Sequence, residues 1–490
     1  MKKSIIFLSF ILLFLSVFGS SLTVRIPQNI DFLDPHKAAA SGTDEVMFNV
    51  FEGLLKPDSQ GNLNPAVAEN YTISQDGLTF KFFIRKNIKF HDGSYVTPDD
   101  VKYSLERLSG LDGGPGYNSA MISTIKSVTA DKNDNSVTVI LKTADTNFLS
   151  NFTKAVIPRH NDQYQNSKPI GTGPFKFISY QPDQNILLEK FKDYWKTGYP
   201  KVDKVEFKII SDEQAALLSF MAGNIDIYPR IPAQMLDILG NNIKIISGGQ
   251  NLVQLMAMNN ARKPFDDIRV RQAVNYALNK DEIIELAALG YGTKLGSNMS
   301  PVMAKYYQEG LENYYSTNTE KAKELLKEAG YPKGFSTTIT VPSVYQFHVD
   351  TAQIIVEQLK KVGINAKIEL VEWGVWLDRV YAGRDYDTTI IGFTGKLSAY
   401  DVLKRYESGY SRNFMNYKSE VFDNMFKKAY AEIDDKISTD LYKELQVILT
   451  EDAPAVFIMD PNFIIAMDEN IDGYEIYPYY VQDMSTVYFK

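Results

Sequence analysis

The stretch STTITVPSVYQFHVDTAQIIVEQLKKVGINAKIELV, residues 336–371, decides the fold class. Ile339-Thr340-Val341 reads as a strand, because β-branched side chains suit a pleated surface. Ala352, Ile355, Val356 and Leu359 then recur at i, i+3, i+4 and i+7, which gives a helix one apolar face. Gly363 stands where a helix ends on a left-handed residue, a conformation glycine adopts without steric cost. Beyond it Ile364, Ala366, Ile368 and Leu370 alternate with polar residues, the period of a second strand. Such a strand–helix–strand unit crosses over in the right-handed sense and implies a parallel sheet covered by helices. The class is α/β with mixed sheets.

Other elements are legible on either side. Leu78, Phe80, Phe82 and Ile84 alternate with Thr79, Lys81, Phe83 and Arg85 as a strand does, and a turn at His91-Asp92-Gly93 follows. Thr97-Pro98-Asp99-Asp100 opens a helix: a hydroxyl N-cap, proline at the first helical position, and acids near the positive end of the dipole. Val101, Leu105 and Leu108 supply its apolar face. Val270, Ala273, Val274 and Ala277 form another stripe. Ala322, Leu325, Leu326 and Ala329 form a third, stopped by Gly330 and Pro332. At 490 residues the chain is long for one domain, which implies two or three lobes. No short-period repeat, low-complexity tract or Pro-rich linker divides it. A net charge of −8 without a long Lys/Arg run argues against nucleic acid or an anionic membrane as the main partner.

The first residues read differently. Lys2 and Lys3 precede an apolar run from Ile5 to Phe18, broken only by Ser9 and Ser16, and Gly19, Ser20 and Ser21 follow. That order is expected of a secretory signal peptide over residues 1–21, cleaved after Gly19 or Ser21. The run is shorter than the ~20 residues a spanning helix needs. The chain has no cysteine, so neither a disulfide framework nor a lipid-bearing Cys at the cleavage site is available. A freely soluble periplasmic protein is the expectation.

Enzyme signatures are missing. His36, His91, His160 and His348 are scattered without metal-ligand spacing. There is no G-x-S-x-G elbow. Gly392-Phe393-Thr394-Gly395-Lys396 resembles a phosphate loop faintly, but Ile390 stands where a glycine is needed and Leu397 where Ser or Thr is needed. Gly290-Tyr291-Gly292 lacks the third glycine of a dinucleotide fingerprint, and Asp99-Asp100 is explained by helix capping. No catalytic group, metal site or cofactor is expected.

Residues 66–108, AVAENYTISQDGLTFKFFIRKNIKFHDGSYVTPDDVKYSLERL, closely resemble the signature of the family 5 extracellular solute-binding proteins. That family includes the oligopeptide-, dipeptide- and nickel-chelate-binding proteins. Further blocks follow in the family's order: Gly171-Thr172-Gly173-Pro174-Phe175, SDEQAALLSFMAGNIDI (211–227), MNNARKPFDDIRVRQAVNYALNKDEII (258–284), KAKELLKEAGYP (321–332) and EQLKKVGINAKIELVEWGVWLDRVYAGRDYD (357–387). The resemblance implies a periplasmic-binding-protein-like fold of type II, cluster C, with two hinged α/β lobes and an inserted third lobe. Lobe I falls at 22–55, 170–258 and 455–490, the inserted lobe at 56–169, and lobe III at 259–454. It also implies a monomer that encloses a small ligand between lobes I and III and delivers it to the permease of an ABC importer.

The resemblance further implies candidate ligand contacts. Peptide-binding members hold the ligand's amine with an Asp in a G-W-x-x-D-type segment. The matching stretch is 392–397, with Phe393 at the Trp position and Lys396 at that of the acid. Lys396 would repel an ammonium, so either Asp401 takes over, or the ligand is acidic or uncharged at that end, or Lys396 is a solvated surface residue. Tyr400, Arg412 and Asn413 follow this segment and are cleft candidates. Arg159 matches an Arg that grips chelator carboxylates in nickel-chelate binders, or it is a structural salt-bridge partner. Trp373 and Trp376, at i and i+3, suit a cleft wall or core packing equally. A short peptide is the leading ligand, and a metal-chelate or oligosaccharide the alternative. An exported hydrolase and a structural envelope protein are the readings from other classes. The first lacks a nucleophile–base pair and the second lacks repeats.

Overall fold

A computed structural model describes residues 20–490; of the expected signal peptide, residues 1–21, all but Ser20 and Ser21 lies outside the described residues. The strand–helix–strand unit forms as read: strand Phe335–Pro342, helix Gln346–Lys360 and strand Ile364–Val371, with Phe335 paired to Ile364 in parallel. Gly363 is left-handed at φ 86°. Ala352, Ile355 and Leu359 are fully buried, each such side chain stabilising the fold by about 1–3 kcal/mol. Val356 is only half-buried, and Leu370 is 54% exposed because Ile364–Val371 is the edge strand of its sheet.

That sheet continues inward through Thr388–Thr394 and Leu252–Met258 to the long strand Ala455–Asp468. Leu252–Met258 is central and buried on both faces. Met256 and Met258 pack with Ile339 and Ile355 on one side, and Leu255 and Ala257 with Trp376 and Phe457 on the other. Successive side chains point to opposite faces, so a strand between two helical layers reads as continuously apolar.

The same long strand builds a second sheet. Its beginning pairs with Leu252–Met258, Ala257 opposite Ala455, and its end with Ile243–Gly249, Ile243 opposite Asp468. From there the sheet runs through Ile227–Pro229, Ser21–Ile26, Lys204–Ile209, Asn185–Lys190 and Phe175–Gln181. Ser21–Ile26 is parallel to Lys204–Ile209, and the last two pairs are antiparallel. A third, four-stranded antiparallel sheet has the order Ala68–Ile73, Thr79–Ile84, Ser136–Leu141, Ile125–Asp131. It packs Phe80, Phe82 and Ile84 beneath helix Pro98–Ser109. Thr97 caps that helix as expected: its Oγ1 accepts from the Asp100 amide at 3.3 Å and the Asp100 carboxylate accepts from the Thr97 amide at 3.0 Å. No helix among the described residues is long and apolar enough to cross a membrane.

Candidate functional site

Two crossings join the large sheets. One is Gln250-Asn251, between strands Ile243–Gly249 and Leu252–Met258; the other is the stretch of the long strand around Asp460. They are tied together. The Asp460 carboxylate accepts from the amides of Gln250 (3.2 Å), Asn251 (2.9 Å) and Leu252 (3.2 Å), and from Ser300 Oγ at 2.5 Å. Burial nevertheless pushes the Asp460 carboxyl up from 3.8 to about 6. Asn251 is held in the left-handed region at φ 59° and donates to the Pro478 carbonyl at 2.9 Å. Gly395 packs so closely on it that a Cβ would fall 1.9 Å from Asn251 Oδ1.

A cleft of about 980 Å³ opens beside these crossings. Clefts of this size enclose small ligands. Arg230 to Gln234 and Phe463 form one wall; Tyr345 to His348, Trp373, Trp376, Phe393, Thr394 and Lys396 form the other. The second wall is an aromatic ladder. Trp373 stacks on Trp376 with centroids 5.2 Å apart and planes 5° off parallel, and Tyr345 meets Trp373 edge-on at 5.4 Å. Trp376 is buried and donates to Thr389 Oγ1 at 2.9 Å, whereas Trp373 is 37% exposed. Of the two readings open for this pair, Trp376 belongs to the core and Trp373 is presented to the cleft. Trp373 lies in the short helical turn Trp373–Val375, and Trp376 opens the next one, Trp376–Ala382, which is wound as a π-helix, an irregularity frequent at functional sites.

The charge on the cleft is one-sided. Arg230, Lys396, Arg405 and Arg412 line it, with no Asp or Glu among its lining residues. Arg230 sits in the left-handed region at φ 58°, donates to the buried Glu45 at 2.6 Å, and lies 3.7 Å over the Tyr480 ring. Gln482 donates to the same Glu45 oxygen at 2.5 Å. Arg405 lies over the Phe393 ring at 3.8 Å. Desolvation holds His348 down at about 4, so it is neutral at physiological pH, and Gln254 meets its Nδ1 at 3.0 Å.

Phe393, Lys396, Arg412 and Trp373 are therefore brought to one cleft, as the candidate contacts require. Asp401 lines an adjoining chamber of about 400 Å³, where it is bound to Lys404 at 2.5 Å. Tyr400, Asn413 and Arg159 are not brought to the cleft. Tyr400 stacks between Phe426 (5.3 Å) and Tyr430 (4.7 Å), filling core space. Asn413 is buried and braces a turn by donating to the carbonyls of Glu407 (3.1 Å) and Tyr417 (2.8 Å). Arg159 is exposed beside the third sheet, its guanidinium 5.6 Å from the Tyr103 ring. It has no ion pair among the described residues, so the alternative of a structural salt bridge is not realised either. Arg230, Arg405 and Tyr345 escaped the sequence reading, since each is a lone residue in a loop or short turn without periodicity. The described residues contain no group of three or more metal-binding side chains.

The profile of the bacterial extracellular solute-binding proteins, family 5, matches residues 62–413. The chain belongs to this family. The oligopeptide-binding protein AppA of Bacillus subtilis is 30% identical to this solute-binding protein, over 88% of the chain and 84% of AppA. A glutathione-binding protein of Pectobacterium atrosepticum is 29% identical, over 93% and 91%. Among solved structures, the periplasmic binding protein DppA of Helicobacter pylori, in complex with the peptide STSA, superposes with a TM-score of 0.75 at 28% identity, covering 96% of this chain and 98% of that one. The fold is accordingly that of a two-lobed periplasmic binding protein of mixed α/β sheets with an inserted third lobe. Members of the family are solute-binding components, not enzymes.

Proposed function

We propose that the chain is the exported, monomeric binding component of an ABC importer, and that it captures a short peptide and performs no chemistry on it. The observation that carries this is the cleft of about 980 Å³ beside two strand crossings, lined from both sheets. A ligand there touches both lobes fully only when they close, so it stabilises closure, and the importer's permease can read loaded from empty protein by shape. Converting such an equilibrium from about 1:99 to 99:1 takes roughly 5.5 kcal/mol of differential affinity. Peptide as the ligand class follows the relatives named for oligopeptides and glutathione.

The lobes are assigned as residues 22–55, 170–249 and 462–490 for lobe I, 56–169 for the inserted lobe, and 252–460 for lobe III. In place of the expected limits at 258 and 455, limits at the crossings near Asn251 and Pro461 are supported by the pairing of the long strand. The test is titration of the purified mature protein with pools of di- to pentapeptides, followed by Trp fluorescence and small-angle scattering. Peptide binding with compaction is expected. Binding without compaction, or hydrolysis of the pool, removes the reading. The flat face of Trp373 favours a second ligand class, oligosaccharides, which the same titration distinguishes.

A further inference from the structure

We infer that the captured solute is acidic: it presents a carboxylate to the cleft and needs no free ammonium there. This rests on the capture reading above and specifies its ligand. Four cations line the cleft and no acid does. Arg230 has Glu45 as its partner, whereas Lys396, Arg405 and Arg412 have no ion pair among the described residues. Arg405 lies over Phe393, and Lys396 and Arg412 line the same cleft; three cations there without a counter-charge repel an ammonium. They suit a carboxylate, which guanidinium forks can grip bidentately.

The hydrogen-bond inventory points the same way from both walls. Arg405 has its Nη1 buried without a partner, and Arg230 has its Nε and Nη1 buried without partners. A buried, unmet donor on a charged group is costly, and the cost disappears when an acceptor arrives. Arg230 and Arg405 belong to opposite walls, so an acidic ligand satisfies donors on both lobes and favours closure. Arg230 is held ready for this by its stack on Tyr480 and its bond to Glu45.

Acids do occur in the adjoining chamber, but two of the three are occupied. Asp401 is bound by Lys404 and Glu52 by Lys56 at 3.3 Å, with Tyr194 and Trp195 also donating to Glu52 at 2.7 and 2.8 Å. Asp44 is the remaining carboxylate there. Asp44 lies outside the lining of the main cleft, as does Glu475, which lines a small side pocket sharing Arg230 with it, so a ligand amine is accommodated only at the margins of the cleft.

The experiment is calorimetry and thermal shift on the mature protein with four matched probes. These are tripeptides with both ends free, N-acetylated, C-amidated, and both acetylated and amidated. The N-acetyl acid is expected to bind within a few-fold of the free peptide. Amidation is expected to weaken binding by about 10–100-fold, the loss of one charge-assisted contact. Arg405→Gln and Arg412→Gln are expected to erase the difference between acid and amide while leaving the melting temperature of the empty protein near wild type. Salt is expected to weaken the acids selectively. Amides binding as tightly as acids, with both variants neutral, would overturn the inference and leave capture standing. If none of the four binds, the same assay run on di- and tricarboxylates decides: their binding supports an acidic, non-peptide solute, and their failure refutes the inference together with the peptide reading.

Discussion

Replacing Asp460 by Asn tests whether the crossings depend on a buried carboxylate. In the folded protein Oδ1 accepts from the Gln250 and Leu252 amides and Oδ2 from the Asn251 amide and Ser300 Oγ. An Asn side chain keeps the first pair and turns its NH₂ towards the second, so the two hydrogen bonds accepted by Oδ2 are lost at roughly 1–3 kcal/mol each. Against this, burial raises the Asp460 carboxyl from 3.8 to about 6, so holding it ionised near neutral pH costs about 3 kcal/mol that the neutral amide avoids. The two effects largely offset each other at pH 7, where Asp460→Asn is expected to be destabilised by no more than a few kcal/mol. The pH dependence separates them. A raised carboxyl means the folded state keeps its proton between about pH 4 and 6 while the unfolded chain has released it, so this group's contribution to stability falls as pH rises through that window. Wild type should therefore gain on the variant as pH drops from 7 to 4, by up to about 3 kcal/mol. Urea titrations read by fluorescence of the three tryptophans would show this as a gap between midpoints that widens on the acid side. A gap that stays constant from pH 4 to 7, or shrinks on the acid side, refutes the reasoning.

Other expectations follow from single contacts. Gly395→Ala places a Cβ 1.9 Å from Asn251 Oδ1, so it should displace the crossing and weaken ligand binding more than it lowers the melting temperature; calorimetry and a melt on the same sample decide. Trp373→Ala removes the exposed half of the stacked pair and should reduce affinity severalfold with the fold intact, checked by titration and circular dichroism. Ile355→Ala, fully buried under the parallel sheet, should cost about 2–5 kcal/mol without changing ligand preference, as denaturant unfolding would report. Processing should leave Ser20 as the first residue. Its carbonyl accepts from the Asp203 and Lys204 amides at 2.9 and 3.1 Å, contacts that cleavage after Ser21 would destroy; N-terminal sequencing of exported protein settles it.

Local elements were determined by the sequence alone. The helix stripe at Ala352, Ile355 and Leu359, the Thr97 cap and the left-handed Gly363 depend on neighbours a few residues away, and period and capping chemistry encode them directly. The ordered blocks from Ala66 to Asp387 likewise carried the family. Within the site, Trp373 was legible because it lies in one of those blocks, Phe393 and Lys396 because they lie in the matched stretch 392–397, and Arg412 because it follows that stretch. What tertiary structure alone decided is which side chains meet. Arg159, Tyr400 and Asn413 looked equivalent to those four in the sequence, yet packing against Tyr103, Phe426 and the Glu407–Tyr417 turn takes them elsewhere. Arg230 and Arg405 enter the same cleft from segments far apart in the chain, and Asp460 finds the Gln250–Leu252 amides across a comparable distance. No period or spacing records such a meeting. It depends on the long strand Ala455–Asp468 passing from one sheet into the other, which sets where the lobes join and so which residues face each other across the gap.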